Sequence, residues 1–413
     1  MSCSIRDITL APLGRKRIEW VKSYMPVLKE LGERFRREQP FRGLRVSVCV
    51  HLEAKTAYLG LLLREGGAEV AITGSNPLST KDDICAALAE EGMNVYAWFN
   101  ATEEEYREHI RQTLEFKPHI IIDDGGEFVS MIHDAHPEYG ENLIGGCEET
   151  TTGILKLKAR VKNGSLKFPM MAVNDANCKH LFDNRHGTGQ SSWDAIMYTT
   201  NNMITGKTVV VAGYGFCGSG IAMRAKGLGA NVIVTEVNPF RALEAAMDGF
   251  RVMKMDDAAP LGDIFVTATG CRDVIIARHF DKMKDGVILA NSGHFDVEVS
   301  RAELERIAVK KVERKPFIDG YVMPDGRVLN LMAEGRLVNI TAGNGHPAEI
   351  MDLSFAIQAL SAEYLVKHGR GLKPGLYNVP EDIDRSVAML KIKAMGLGLD
   401  ELTPEQEAYL SAE

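Results

Sequence analysis

The 413-residue sequence has no apolar stretch long enough to span a bilayer as a helix, which excludes a helical membrane protein. It has no long basic run and a net charge of -8, so nucleic acid is not an expected partner. The start, MSCSIRDITLAPLGRKRIEW, is charged throughout and offers no apolar h-region, so no secretory signal is expected. Its seven cysteines, Cys3, Cys49, Cys85, Cys147, Cys178, Cys217 and Cys271, are odd in number, scattered and free of C-x-x-C spacing. That argues against a disulfide framework and a zinc site, leaves no metal expected, and fits a reducing cytoplasm. Low-complexity segments and solenoid-period repeats are also absent. What remains is an ordinary globular composition, 45% hydrophobic and 25% charged, in a chain long enough for two full cores.

Residues 1–40 read as helical, with Ile18, Val21, Met25, Leu28 and Leu31 at helical spacing. Short apolar runs then alternate with helices. The runs are Val46–Val50, Val70–Thr73, Val95–Trp98, Ile120–Ile122 and Met170–Val173; the helices include Thr56–Arg64, Lys81–Glu91 and Thr102–Glu115. Thr102 and Glu105 form a capping box at the start of the last. A second series, Thr208–Ala212, Val232–Thr235, Ile264–Thr267 and Val287–Ala290, follows a connecting helix expected over Gln190–Ile204. The alternation predicts an α/β chain of two doubly wound parallel-sheet domains. After about residue 345 the pattern turns helical, Gly371–Pro380 reads as a crossover loop, and Thr403-Pro404-Glu405-Gln406 starts a small C-terminal helical segment.

The segment KTVVVAGYGFCGSGIAMRAKGLGANVIVTE places Gly213, Gly215 and Gly218 as G-x-G-x-x-G between a strand and a helix. Gly213 permits the tight turn, Gly215 lets backbone approach a pyrophosphate, and Gly218 allows close helix–strand packing. The next strand leads into Glu236, where an acid should hold a ribose 2'-hydroxyl and repel a 2'-phosphate. This is the Rossmann fingerprint and predicts NAD over NADP, although Arg241 lies close by.

Other polar residues gather where apolar runs stop: His51, Asp123-Asp124, Glu148-Glu149 with Thr150–Thr152, Asn174-Asp175, and Asn291-Ser292-Gly293-His294. One such residue is often only a helix cap or a satisfied core histidine. Five such ends in one chain exceed what capping needs, and ligands of open parallel sheets bind beyond the carboxyl ends of strands. Lys179 and Asp183, at i, i+4, share a face if helical, and a desolvated Lys179 amine would be usable as a base.

The segments IIDDGGEF, GGCEETTTGI, VNDANCKHLFDNRHGTGQS, VVVAGYGFCGSGIAMRAKGLGA, TATGCRDVI, NSGHFDVE and EGRLVNITAGNGHP strongly resemble S-adenosyl-L-homocysteine hydrolases, from about residue 15 to 412. The resemblance implies tightly bound NAD and reversible cleavage of S-adenosylhomocysteine to adenosine and homocysteine. Oxidation at C3' acidifies the C4' proton, elimination expels homocysteine from C5', water adds, and re-reduction follows. It also implies a homotetramer, with a substrate domain (1–184 and 345–380), an NAD domain (185–344) and an oligomerisation segment (381–413).

Carried over, Lys179 and Asp183 would handle the 3'-hydroxyl proton, supported by Asn174. Glu149 would hold the ribose hydroxyls, and Asn184 would set nicotinamide and hinge geometry. Asp124, His51 and His294 would move protons at C4' and C5'. Thr267, Thr269, Asn291 and Asn339 would line the NAD site, with Thr150, Thr151 and Thr152 reaching it from the substrate domain. Glu53, Lys55, Thr56, Met351 and Phe355 would bind substrate, and His346 would gate the entrance.

The chain departs from the family's commonest pattern in several places. Thr188 replaces a cysteine, Lys81 a glutamine, and HLEAKT puts Glu53 and Lys55 where many members have Thr and Glu. No further tail follows Ala412-Glu413, so weaker retention of NAD is expected. Lys55 is a donor only and would suit the O6 of hypoxanthine, making S-inosylhomocysteine the alternative substrate. With Glu53 two residues away in a strand, the two would face one side and pair, leaving ordinary adenine selectivity.

Overall fold

The computed structural model describes residues 3–411; Met1, Ser2, Ala412 and Glu413 lie outside the described residues. Strands β1 (Arg45–Cys49), β2 (Glu69–Thr73), β3 (Asn94–Val95), β4 (Ile120–Asp123), β5 (Gly145–Glu148) and β6 (Pro169–Ala172) belong to a first sheet, which is wholly parallel. A last strand from far downstream completes it, β15 (Gly375–Asn378), in the order β15-β6-β5-β4-β1-β2-β3. Its strands read as unbroken apolar runs because helices cover both faces. Leu28, Phe35, Leu59 and Phe355 pack with Val48 and Ile122 on one face, and Ile110, Phe128 and Ile154 with Ile121 and Met170 on the other.

Residues 208–332 form the second sheet: β7 (Thr208–Ala212), β8 (Asn231–Thr235), β9 (Arg251–Val252), β10 (Ile264–Thr267), β11 (Ile288–Asn291), β12 (Lys310–Lys315), β13 (Ile318–Val322) and β14 (Val328–Met332). Its order is β12-β13-β14-β11-β10-β7-β8-β9, parallel except where β13 pairs antiparallel with β12 and β14. The chain enters through helix Thr188–Thr200 and leaves into helix Ala348–His368, which is buried on almost every side against the first sheet.

Three local expectations need correction. Gly371–Pro380 is not only a loop, since β15 lies inside it; a four-residue edge strand starting at glycine carries no alternation to betray it. The antiparallel ribbon β12–β13 went unread because its outer strand, KKVERK, is exposed and charged. Glu53 and Lys55 do not share a strand. Strand β1 ends at Cys49, and Glu53 caps helix Ala54–Glu65, its side chain accepting from the Lys55 N–H at 3.2 Å. The capping box of Thr102 and Glu105 is formed as expected.

Candidate active site

Both sheets aim the carboxyl ends of their strands into one cavity of about 920 Å³. From the first come His51 after β1, Asp124 after β4, and Glu149 with Thr150, Thr151 and Thr152 after β5. From the second come Gly213 and Gly215 after β7, Glu236 after β8, Thr269 after β10 and His294 after β11.

The densest bonding follows β6, where the chain runs through a π-helical stretch, His180–Gly187. Such widened turns recur at functional sites. Here the geometry gives Lys179 two partners: its Nζ lies 3.2 Å from Asp183 Oδ1, four residues on, and 2.7 Å from Asn184 Oδ1, five residues on. Glu149 Oε1 stands 3.5 Å from the same nitrogen. Asn184 donates to Asn174 Oδ1 at 3.1 Å, so Asn174 supports Lys179 through Asn184. Asp183 also meets His346 Nδ1 at 3.0 Å and accepts the Ser354 hydroxyl at 2.6 Å. Gln358 donates to Glu149 Oε2 at 2.5 Å.

Lys179, Asp183 and Glu149 are all buried. Burial disfavours the lysine charge, but Asp183 and Glu149 outweigh it and raise its pKa above the ordinary value. This corrects the expectation of a desolvated free base: the ammonium is buried yet held charged. Burial pushes the Asp183 carboxyl up, while Lys179 and His346 pull it further down, below the usual carboxylate range. Glu149 is raised by burial to about 7, with Lys179 opposing. Asp183 therefore stays ionised, and Glu149 is the carboxyl that exchanges a proton near neutrality.

A sparser cluster joins the two sheets. His51 Nε2 is 3.6 Å from Asp124 Oδ2, and His294 Nδ1 is 4.0 Å from Oδ1, both beyond hydrogen-bond reach. Asp124 Oδ1 is buried with no hydrogen-bond partner among the described residues, whereas Oδ2 accepts the Ser75 hydroxyl at 2.7 Å. His51 Nδ1 lies 2.7 Å from Ser79 Oγ, whose own proton goes to the Asn76 carbonyl at 2.8 Å. Ser79 must then accept, which puts the His51 proton on Nδ1 and leaves a lone pair on Nε2 toward Asp124. Burial lowers both histidine pKa values, His294 to about 4 with Asp124 opposing, so both rings are neutral at pH 7. Gly125, at φ +89°, lets the Asp124 loop approach this closely; a Cβ there would sit 2.5 Å from His294 Nε2.

The glycine turn fits a dinucleotide. Gly213 has φ +95°, and a Cβ on Gly218 would sit 2.0 Å from the Gly213 carbonyl oxygen. A Cβ on Gly215 would meet nothing within 4 Å, leaving an open cradle at the start of helix Phe216–Gly227. Glu236 faces the cavity while Oε2 accepts from the Tyr214 N–H at 2.7 Å and Oε1 from Val237 and Asn238. Arg241 is engaged by Glu244 at 2.6 Å and stacks over Phe216. Asn339 Oδ1 is a buried acceptor without a partner among the described residues.

Glu53, Lys55, Thr56, His346, Met351 and Phe355 line the same cavity. Lys55 Nζ is 2.8 Å from Glu53 Oε2 and donates to the Asn344 carbonyl at 3.0 Å. Thr188 lies 3.6 Å from Cys217 Sγ and 3.2 Å from His346 Nε2.

Three expected cofactor residues, Gly218, Thr267 and Asn291, stand behind the cavity wall. Thr267 donates to Asn291 Oδ1 at 2.9 Å, and Asn291 Nδ2 spans the carbonyls of Gly293, Phe295 and Gly335. Both therefore shape the loop carrying His294. Sequence reasoning missed Ser75, Ser79, Ser354 and Gln358. A signal existed for the last two: a polar i, i+4 pair on a helix rich in apolar residues.

A dinucleotide cradle and two acid–base clusters sharing one cavity define an enzyme that acts on a small molecule beside a nicotinamide cofactor. The family profile described as S-adenosyl-L-homocysteine hydrolase, NAD binding domain, matches residues 184–345, and that described as S-adenosyl-L-homocysteine hydrolase matches residues 2–142. The S-inosyl-L-homocysteine hydrolase of Methanopyrus kandleri is 57% identical over 99% of this chain and 97% of that protein. Its namesake in Methanocaldococcus jannaschii is 56% identical over 98% of each chain. The adenosylhomocysteinase of Thermococcus kodakarensis is 54% identical over 99% of this chain and 97% of its own length. The chain belongs to the S-adenosyl-L-homocysteine hydrolase family, with an NAD-binding domain in its second half.

Proposed function

We propose that the chain reversibly hydrolyses S-adenosyl-L-homocysteine to adenosine and L-homocysteine. The observation that carries this reading is the buried Lys179–Asp183–Glu149 cluster, placed in the same cavity as the glycine cradle. NAD, when bound, would supply reversible hydride transfer at C3'. Thr150, Thr151, Thr152, Gly213, Gly215, Glu236, Thr269 and Asn339 would hold it. Lys179 and Asp183 grip the 3'-hydroxyl, and Glu149, poised near neutrality, exchanges its proton. Asn184 fixes the lysine. His51, with its lone pair on Nε2, and Asp124 take the C4' proton once the 3'-carbon is oxidised, and His294 serves the C5' side, where the thiol leaves and water enters. Denatured protein should release NAD, and the native protein should cleave the thioether; a protein that does not turn over even with NAD supplied would refute the reading.

One observation favours a second substrate, S-inosyl-L-homocysteine. Lys55 presents a buried ammonium in the cavity, a donor that suits the hypoxanthine O6. The two relatives at 56–57% identity carry that activity in their names. Glu53 Oε2 and the Asn344 carbonyl take two of the three ammonium protons, leaving one for a ligand. The kcat/KM ratio for the two thioethers, in wild type and Lys55→Glu, tests it. A shift toward the adenosyl form in the variant supports base reading by Lys55, and an unchanged ratio removes it.

The proposal extends to a cytoplasmic homotetramer, with residues 1–184 and 345–380 as substrate domain and 185–344 as NAD domain. Residues 381–413 would form the subunit contact. Met395, Leu397, Leu399, Leu402 and Leu410 in that last segment are all more than half exposed, which supports burial against other copies. Light scattering on the purified protein measures the mass directly.

A further inference from the structure

Lys156 has no part in the chemistry above, yet its ammonium sits at the seam between the two sheets. It lies on helix Thr151–Lys162, packed on the first sheet. Its Nζ donates to the Gly125 carbonyl at 2.7 Å, one residue past Asp124, and lies 5.1 Å from the ring centroid of Phe295, one residue past His294. Phe295 belongs to the loop after β11 in the other sheet, and its ring packs edge-on against His294 with centroids 4.6 Å apart. One cation thus touches the neighbours of Asp124 and His294, two of the three members of the sparse cluster. His294 also packs on Gly125, where a Cβ would sit 2.5 Å from its Nε2, but the polar contact is otherwise thin. Asp124 and His294 share no hydrogen bond, the Lys156 side chain is 38% exposed, and its nearest carboxylate oxygen, on Glu127, is 4.0 Å away.

We infer that Lys156 is a positioning residue, a latch across the cleft that holds His294 opposite Asp124 by clasping the Phe295 ring while bonded to the Asp124 loop. A guanidinium could do the same work, because it also donates to carbonyls and stacks on aromatic faces. A methionine fills similar volume but offers neither the donor nor the charge. The Phe295 backbone is anchored separately, its carbonyl accepting from Asn291 at 2.9 Å. Loss of the latch should therefore loosen the loop without unfolding it. The inference rests on the assignment of His294 and Asp124 to the C4' and C5' steps. The 3'-oxidation cluster lies wholly on the first-sheet side and the hinge, and should be spared.

The experiment is a double-mutant cycle on the NAD-loaded protein with Lys156→Met, Phe295→Leu and the double variant, alongside Lys156→Arg. Three signals are read: kcat/KM for thioether cleavage, NADH formation on adding adenosine, and hydrogen exchange of the 291–297 amides without substrate. Each single variant should lower kcat/KM by about fivefold to thirtyfold, the range of a partly desolvated cation–π contact. The double variant should lose little more than either single, and Lys156→Arg should recover most of the wild-type value. NADH formation on adding adenosine should stay near wild type in all. Exchange at 291–297 should quicken equally in both single variants and the double. Multiplicative losses, equal slowing of NADH formation, or unchanged exchange would overturn the latch. Quickened, non-additive exchange with normal thioether cleavage would keep the latch and count instead against the catalytic assignment of His294.

Discussion

The cavity holds two acid–base clusters built on opposite plans. Around Lys179 the groups are densely bonded: two carboxylates, two asparagines, a histidine, a serine and a glutamine form a network with contacts between 2.5 and 3.5 Å, and Gln358 Oε1 is left without a partner among the described residues. Around Asp124 the two histidines are neutral, stand 3.6 and 4.0 Å from its carboxylate, and come from different sheets. The first network is built from residues that follow β5 and β6, with His346, Ser354 and Gln358 from further along the chain. The second is held together by no hydrogen bond between its members, and its geometry depends on how the two sheets face each other. Preorganised charge suits a step that begins the reaction. A gap that closes around its reactant suits a step whose intermediate must be shielded from water.

The comparison can be broken most severely at the dense cluster. Lys179→Ala or Asp183→Ala should reduce turnover by about 10²–10⁴-fold while substrate still binds, because removing either ion strands its buried partner beside the reacting oxygen. Steady-state rates with calorimetric binding separate the two effects, and near-normal turnover in both variants would dissolve the distinction drawn here. Next comes His294→Ala. Overall cleavage should fall by about 10²-fold or more, yet adenosine should still generate an NADH absorbance signal, since the dense cluster is untouched. If that signal vanishes with the histidine, the clusters do not serve separate steps.

The smallest effect concerns what lies beneath both. Asp123 and Glu148 sit side by side in the register of β4 and β5, fully buried. Burial raises Asp123 to about 7, and burial, then Asp123, raises Glu148 well above the usual range. Folded-state values above unfolded ones mean stabilisation that is full below about pH 4 and fades as pH climbs through about 7. Melting curves should show wild type losing ground against Glu148→Gln between pH 5 and 8, by a few degrees, at roughly 2–4 °C per kcal/mol for a domain of this size. A pH-independent difference would mean that folding does not raise the pKa of Glu148.

Much of this was legible in the sequence because it is written in local patterns. The apolar runs that became β1, β2, β4, β7, β8, β10 and β11 announce themselves, and so does the glycine turn at Gly213. The site residues at strand ends were legible for the same reason: topology alone carries His51, Asp124, Glu149 and His294 to one side. Tertiary facts were not. Nothing around Gly375 says that four residues will pair with a strand two hundred positions earlier. Asn291 looked like a lining residue, but its amide is consumed by three carbonyls. Lys179 read as a candidate base because sequence shows burial more readily than it shows the carboxylates that arrive with it. Glu53 and Lys55 did pair, through a helix cap and not through a strand.

The return of the chain to the first sheet also sets an order of assembly. Strand β6 is flanked on one side by β5 and on the other by β15, and the whole second sheet, residues 208–332, is made between them. On the ribosome the N-terminal sheet must wait, with β6 as an open edge and the seat of helix Ala348–His368 empty, until residue 378 has emerged. Its apolar face is at risk of wrong pairing for that whole interval. The nucleotide-binding sheet, continuous in sequence, can close first, so it is ready before the first sheet has its last strand.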